Sequence, residues 1–292
     1  MLTKAERRHQ FVVTLILVIM CALVLIPFLL VVGVSFSSEA DVMNYGYSII
    51  PRKVDLQAYK YVFTSSGSVL NAYKVTIIFS VACTVLGVTL MSMLAFALSK
   101  RDLKGKKAMS FYVYFTMLFS GGMVPSYILI TQYLHLGDTI WVYILTGLVS
   151  PWYVFMLRTF FQGIPYEITE AAIIDGANEF SIFARFIVPM SKPAIATIAL
   201  FMFLNKWNDW NTALLYINDE SLISLQYLLQ RIMQNIQMMA EDPAIAALFE
   251  NDIPAETVRM AMAVVVAGPA LLVFPFFQKY FVKGITVGAV KG

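Results

Sequence analysis

The sequence predicts an all-α integral membrane protein of six transmembrane helices, with one substantial cytoplasmic loop between the fourth and fifth. Three observations carry this expectation. Of 292 residues, 59% are hydrophobic and only 13% charged, where a soluble domain carries about 25% charged residues. A chain of this length could not cover a water-facing surface with so little charge, so its apolar side chains need lipid as their solvent. Second, the apolar residues fall in runs close to the roughly 20 that a helix needs to cross the hydrocarbon layer. Third, lysine and arginine are shared unequally between alternate connections.

The first span is Phe11–Val34, charge-free and preceded by Lys4, Arg7 and Arg8. Its start resembles a signal peptide. However, the apolar stretch exceeds the usual 7–15 residues and no small-residue cleavage site follows, so it is read as an uncleaved span. The others are Val75–Leu98, Met109–Thr131, Thr139–Leu157, Pro193–Tyr216 and Val258–Phe281. Together they form a single transmembrane domain, residues 1–292. With the N-terminus cytoplasmic, the inner segments hold 14 Lys and Arg and the outer ones 5, which places both termini inside a bacterial cell membrane. The only long inner connection is then 158–192.

Several classes are excluded. Net charge is +3 with no block of like charges, so nucleic-acid binding has no electrostatic support. Cys21 and Cys83 lie in apolar runs and read as buried thiols. His9 and His135 lie apart, so no metal site or cofactor is expected.

The inner loop has its own local logic. Pro165 suits the first turn of a helix, Glu167 and Glu170 suit its positive end, and Gly176 suits its end. A second short helix can run to Pro189, with Phe180, Phe183, Ala184 and Ile187 forming an apolar face. Glu170-Ala171-Ala172, Asp175-Gly176-Ala177 and Ile187-Val188-Pro189 together resemble the EAA loop of ABC importer permeases. The C-terminal Gln278–Gly292 segment is similar to that of maltose-type carbohydrate permeases. So are Ile50-Pro51-Arg52 and Leu56-Gln57-Ala58-Tyr59, and the likeness spans nearly the whole chain.

The resemblance implies that 158–192 is a coupling-helix loop docking into a separate ATPase, through Glu170, Ala171, Ala172, Asp175, Gly176 and Pro189. It implies a cytoplasmic ATPase dimer, a second homologous permease subunit and an extracytoplasmic solute-binding protein that delivers the sugar. The overall similarity leans toward permeases for oligosaccharides of complex, uronate-containing polysaccharides. No G-x-x-x-x-G-K-[ST] phosphate loop occurs, so the chain itself is expected to be no enzyme. A secondary transporter or channel for small polar solutes is the alternative from hydropathy alone, but it leaves the loop unexplained.

The fifth span holds the candidate translocation residues. Asn205, Asn208, Asp209 and Thr212 fall on one helical face, Lys206 and Asp209 are spaced to pair, and Trp207 and Trp210 accompany them. A charge at the bilayer centre costs roughly 2.5–3.5 kcal/mol on insertion scales, so this cluster should face the protein interior. Amides with flat aromatic faces suit hydroxyl-rich sugars. In span three, Ser120-Gly121-Gly122 and Pro125 mark a helix break of the kind that lines a cavity. Outside, Leu225–Met239 carries apolar residues at helical spacing and should form an amphipathic helix.

Overall fold

The computed structural model describes residues 4–64, 68–241 and 254–289, and the regular secondary structure among them is helical, apart from one isolated bridge between Ser37 and Val54. The helices are α1 (Lys4–Ser35), α2 (Glu39–Tyr45), α3 (Gln57–Thr64), α4 (Ser68–Ser99) and α5 (Lys106–Leu118). Next come α6 (Met123–Ile128), α7 (Ile140–Leu145), α8 (Pro151–Gln162), α9 (Tyr166–Ile174) and α10 (Glu179–Ile182). The chain closes with α11 (Val188–Met190), α12 (Lys192–Trp207), α13 (Asn211–Tyr216), α14 (Leu225–Glu241) and α15 (Ala255–Ala289).

The first, second and sixth expected spans are single helices, and stretches of α1, α4 and α15 are each long and apolar enough to cross a membrane. The third and fifth are not simple rods. Lys106–Leu118 and Met123–Tyr133 reach that standard only as a pair bent by 110°, and Glu179–Met190 with Lys192–Trp207 as a pair bent by 82°. The fourth expected span, 139–157, is divided into α7 and α8, neither of them long enough to cross. Gly147 at φ +70° and Pro151 at the start of α8 separate the two: a left-handed residue cannot belong to a right-handed helix, and a proline, which has no N–H to donate, suits the first turn of a new one.

The chain forms two compact units. One holds Met1–Val69 and Leu229–Gly268. Its α1 leaves Phe11, Leu23 and Val24 exposed, apolar surface that lipid would cover. At the end of α1, Ser35 Oγ and Tyr59 Oη are 2.9 Å apart, and Phe36, the next residue, packs on the Tyr59 ring. The N-terminus of α15 is capped from a distance. The Glu39 carboxylate accepts from the N–H groups of Glu256 (3.0 Å) and Thr257 (2.9 Å) and from Thr257 Oγ1 (2.7 Å). Tyr47 Oη donates to Glu256 Oε2 at 2.6 Å, and this bond, with burial, raises the Tyr47 pKa. Helix N–H groups left open at a terminus need such an acceptor. Glu39→Ala should therefore cost about 1 kcal/mol, read as a lowered melting temperature of the purified protein, with Glu39→Asp intermediate.

The second unit holds Leu70–Leu228 and Pro269–Gly292. Its core joins Met91, Ala95 and Leu98 of α4 to Val154, Leu157 and Phe161 of α8 and to Ile198 and Met202 of α12, and it reaches Ala172, Ile182 and Ile187 of the 158–192 segment. Gly87 lets α4 approach the α7–α8 break: a Cβ there would stand 2.5 Å from the Leu148 carbonyl oxygen. At one end, the Asp138 carboxylate accepts from the backbone N–H groups of Asn218 and Asp219, which holds its pKa below the usual carboxylate value.

Candidate functional site

Within the second unit, two regions gather the residues singled out from the sequence. The first is built where helices break. An α-helix leaves its last four carbonyls without intrahelical partners, and α7 ends inside the protein, where those groups must find donors. Leu148 N–H donates to Leu145 O at 3.3 Å, and Cys83 Sγ lies 3.5 Å from Ile144 O as a weak donor. Lys206 Nζ supplies the rest, donating to Tyr143 O at 2.9 Å and Thr146 O at 2.6 Å. Lys206 is 5% exposed. Its charge is answered by the negative end of α7 and by Asp209 Oδ2 at 3.7 Å. Both charged groups thus face inward, as the insertion cost requires.

Asp209 has a second task. The chain turns at Asn208–Trp210, and the Asp209 carboxylate accepts from Thr212 N–H at 3.0 Å and Thr212 Oγ1 at 2.7 Å, capping α13. This turn corrects the expectation of one continuous polar face. Thr212 is buried, whereas Asn205 and Asn208 remain exposed. Trp207 is also turned away: it is 2% exposed and stacks on Phe203 with ring centroids 5.8 Å apart.

What remains open is a hollow of about 550 Å³ lined by Asn205, Asn208, Asp209, Trp210 and Asn211, with Tyr153 of α8. It offers amide donors and acceptors beside three aromatic rings, those of Tyr153, Phe201 and Trp210, while its one carboxylate already accepts from Thr212 and lies beside Lys206 Nζ. Asn211 and Tyr153 were missed from the sequence. Asn211 carried a signal, a third amide beside Trp210; Tyr153 carried none.

The second region is 158–192. Helix α9 lies between its cap residues Pro165 and Asp175, and Gly176 follows at φ +77° with open space around it. Asn178 caps α10 by accepting from Ser181 N–H at 2.8 Å. From α10 the chain continues through a π-helical turn, Phe183–Ile187, into α11, so helix persists through Pro189 to Met190. The π turn alters the expected face. Ile182 and Ile187, five apart, are buried together with Phe183, while Phe180 and Ala184 are exposed.

Residues of the loop motif separate likewise. Ala172 is 3% exposed and belongs to the core; Glu170, Ala171, Asp175 and Gly176 are on the surface. Beside them Ile174 is 81% and Phe180 65% exposed; Ile174 was not singled out from the sequence, and Phe180 was expected on the apolar face of the second short helix. Glu170 forms no ion pair among the described residues. A surface combining bare apolar side chains with an unpaired charge is suited to receiving another protein. The segment is braced from α4 and the turn after it: Lys100 pairs with Glu179, and the Arg101 guanidinium lies 4.9 Å from the Tyr166 ring centroid.

At Gly176 a side chain would be held in the left-handed region at a cost of about 1–2 kcal/mol. Gly176→Leu should lower the melting temperature of the purified protein, while Gly176→Asn, which tolerates that conformation, should lower it less.

Comparison with known proteins gives a consistent result. The model of the family described as binding-protein-dependent transport system inner membrane component matches residues 1–287. The polygalacturonan/rhamnogalacturonan transport system permease protein YtcP of Bacillus subtilis (strain 168) is 39% identical over 267 residues, 91% of this chain and 92% of that protein. Protein LplC of the same organism is 38% identical, over 99% of this chain and 97% of its own length. Among solved structures, a chain of a bacterial ABC transporter involved in the import of the acidic polysaccharide alginate superposes with a TM-score of 0.82. It is 29% identical, and the match covers 96% of this chain and 99% of that one.

Proposed function

Because the chain belongs to the family of binding-protein-dependent transport system inner membrane components, we propose that it is the permease subunit of an ATP-driven importer of oligosaccharides. In this reading six spans cross the bacterial inner membrane with both termini cytoplasmic. The broken segments α5–α6, α7–α8 and α12–α13 each count as one span. The partners are a second, homologous permease, a cytoplasmic ATPase dimer and an extracytoplasmic binding protein that hands over the sugar. The chain carries no catalysis of its own.

The hollow at Asn205, Asn208 and Trp210 contributes to the translocation pathway, with Asp209 held at its edge and Trp207 forming buried support behind it. Helix α9 with Gly176 is the coupling helix, and Glu170, Ala171 and Asp175 are its docking face. Ala172 acts from beneath by packing that helix onto the core, and Pro189 closes the loop. The substrates are oligosaccharides of acidic polysaccharides, a reading supported by the relatives named for polygalacturonan/rhamnogalacturonan transport and for import of the acidic polysaccharide alginate. The observation that carries the reading is the family match over nearly the whole chain, supported by the exposed charged and apolar surface of α9.

The test is uptake of labelled oligogalacturonides, alginate oligosaccharides and maltodextrins in cells with and without this subunit. Loss of acidic-sugar uptake with maltodextrin uptake unchanged is the expected result. Unchanged uptake of every sugar would sink the assignment. Trp210→Ala should raise the sugar concentration needed for half-maximal uptake several-fold and leave membrane insertion normal. Transport that persists when the ATPase is inactivated would favour a secondary transporter or channel.

A further inference from the structure

Beneath α9, in the second unit, lies a hollow of about 260 Å³ that the transport pathway does not use. Its walls include Phe96 of α4 and Phe161 of α8, and Lys100, Arg101 and Lys106 line it together. These cations are held in place. Lys106 Nζ donates to Lys100 O at 2.6 Å and Ser99 O at 3.4 Å, at the C-terminal end of α4. The Arg101 guanidinium rests on the Tyr166 ring and forms no ion pair among the described residues.

A fourth cation stands behind them. Arg158 is one helical turn from Gln162, which lines the hollow, and its Nη1 donates at 3.2 Å to Ser110, one turn along α5 from Lys106. Its Nε is buried and has no hydrogen-bond partner among the described residues. Against these four cations stand Glu179, already paired with Lys100, and Asp102 in the adjoining turn. Positive charge is left over, and it lies beside apolar rings.

We propose that this hollow binds the phosphate group of an anionic phospholipid, held by Arg101 and Lys106 with Arg158 behind them. A phosphate offers several charged acceptor oxygens to converging N–H donors, and arginine matches it in bidentate geometry. The flanking Phe96 and Phe161 suit the glycerol and first acyl carbons of a lipid, which a free phosphate lacks. Basic pockets between membrane helices recognise headgroups on these grounds. Because Tyr166 and Thr169 of α9 line the same hollow, a bound headgroup braces the loop that carries Glu170. The proposal depends on the membrane setting and not on which sugar is carried.

The experiment uses the assembled importer purified in detergent and exposed to mixed micelles of phosphatidylglycerol and phosphatidylcholine. Retained lipid is counted by native mass spectrometry. Wild type should retain phosphatidylglycerol in preference to phosphatidylcholine. Arg101→Gln should weaken that retention by about tenfold, the order expected for one charge-assisted contact, and Arg101→Lys should keep most of it. Millimolar inorganic phosphate should not displace the lipid. Equal retention of the two lipids, or unchanged retention in both Arg101→Gln and the Arg101→Gln/Lys106→Gln double variant, would overturn the proposal. Displacement by inorganic phosphate would assign the hollow to the free anion and overturn the lipid assignment. Loss of ATPase co-purification in Arg101→Gln with lipid retention intact would overturn it in favour of a protein contact.

Discussion

Lys206→Met should destabilise the protein by about 3–5 kcal/mol, the usual cost of removing one partner from a buried charge pair. The substitution strips the donors from Tyr143 O and Thr146 O and leaves the Asp209 carboxylate without its cation. Methionine fills similar volume, so the loss is not one of packing. The expected results are poor recovery from the membrane and a lowered melting temperature of what is recovered. Lys206→Met/Asp209→Asn should recover part of the loss, because it removes the uncompensated charge while the amide oxygen can still accept from Thr212. If Lys206→Met melted like wild type, the break between α7 and α8 would owe nothing to this side chain.

That network also marks the boundary of what the sequence reveals. Continuous apolar runs make α1, α4 and α15 legible, because each is long enough to cross a membrane and helix persists through Pro27 of α1 and through Pro269 and Pro275 of α15. The pairing of Lys206 with Asp209 is legible too, from their spacing and from the cost of burying a lone charge. The other half of the arrangement is not. The acceptors are backbone carbonyls, freed because α7 stops near Gly147, and no side-chain pattern announces them. Once the chain turns at Asn208–Trp210, an α-helical face projected from Asn205 to Thr212 no longer describes which residues share a surface. The π turn at Phe183–Ile187 defeats a projected face in the same way. In α9, Ala171 and Ala172 look alike in the sequence; only packing against α4 and α8 distinguishes the exposed alanine from the buried one.

The second large effect concerns the surface of α9. Ile174 is 81% exposed and stands beside Gly176 at the end of the helix. If this face docks onto the ATPase, Ile174→Asp should place a charge where the partner is apolar, and a charge that loses its water without a partner is expensive. Association should weaken by at least about tenfold, which corresponds to a desolvation cost of about 1.4 kcal/mol or more. Membrane insertion and melting temperature should stay those of wild type, because Ile174 adds little to the core. Unaltered association would mean that this apolar end is bare for some other reason.

The most direct measurement combines two readouts on Glu170→Lys: co-purification of the ATPase, and substrate-stimulated ATP hydrolysis after reconstitution into proteoliposomes. Glu170 is exposed and forms no ion pair among the described residues, so reversing its charge should leave this chain's own fold intact. A charge-assisted hydrogen bond contributes about 1.5–3 kcal/mol, roughly ten- to hundredfold in association, and like-charge repulsion adds to its loss. The expected result is weak co-purification, or hydrolysis no longer stimulated by sugar, in a protein that inserts and melts normally. Wild-type co-purification together with wild-type stimulation would contradict the account, because α9 would then take no part in coupling.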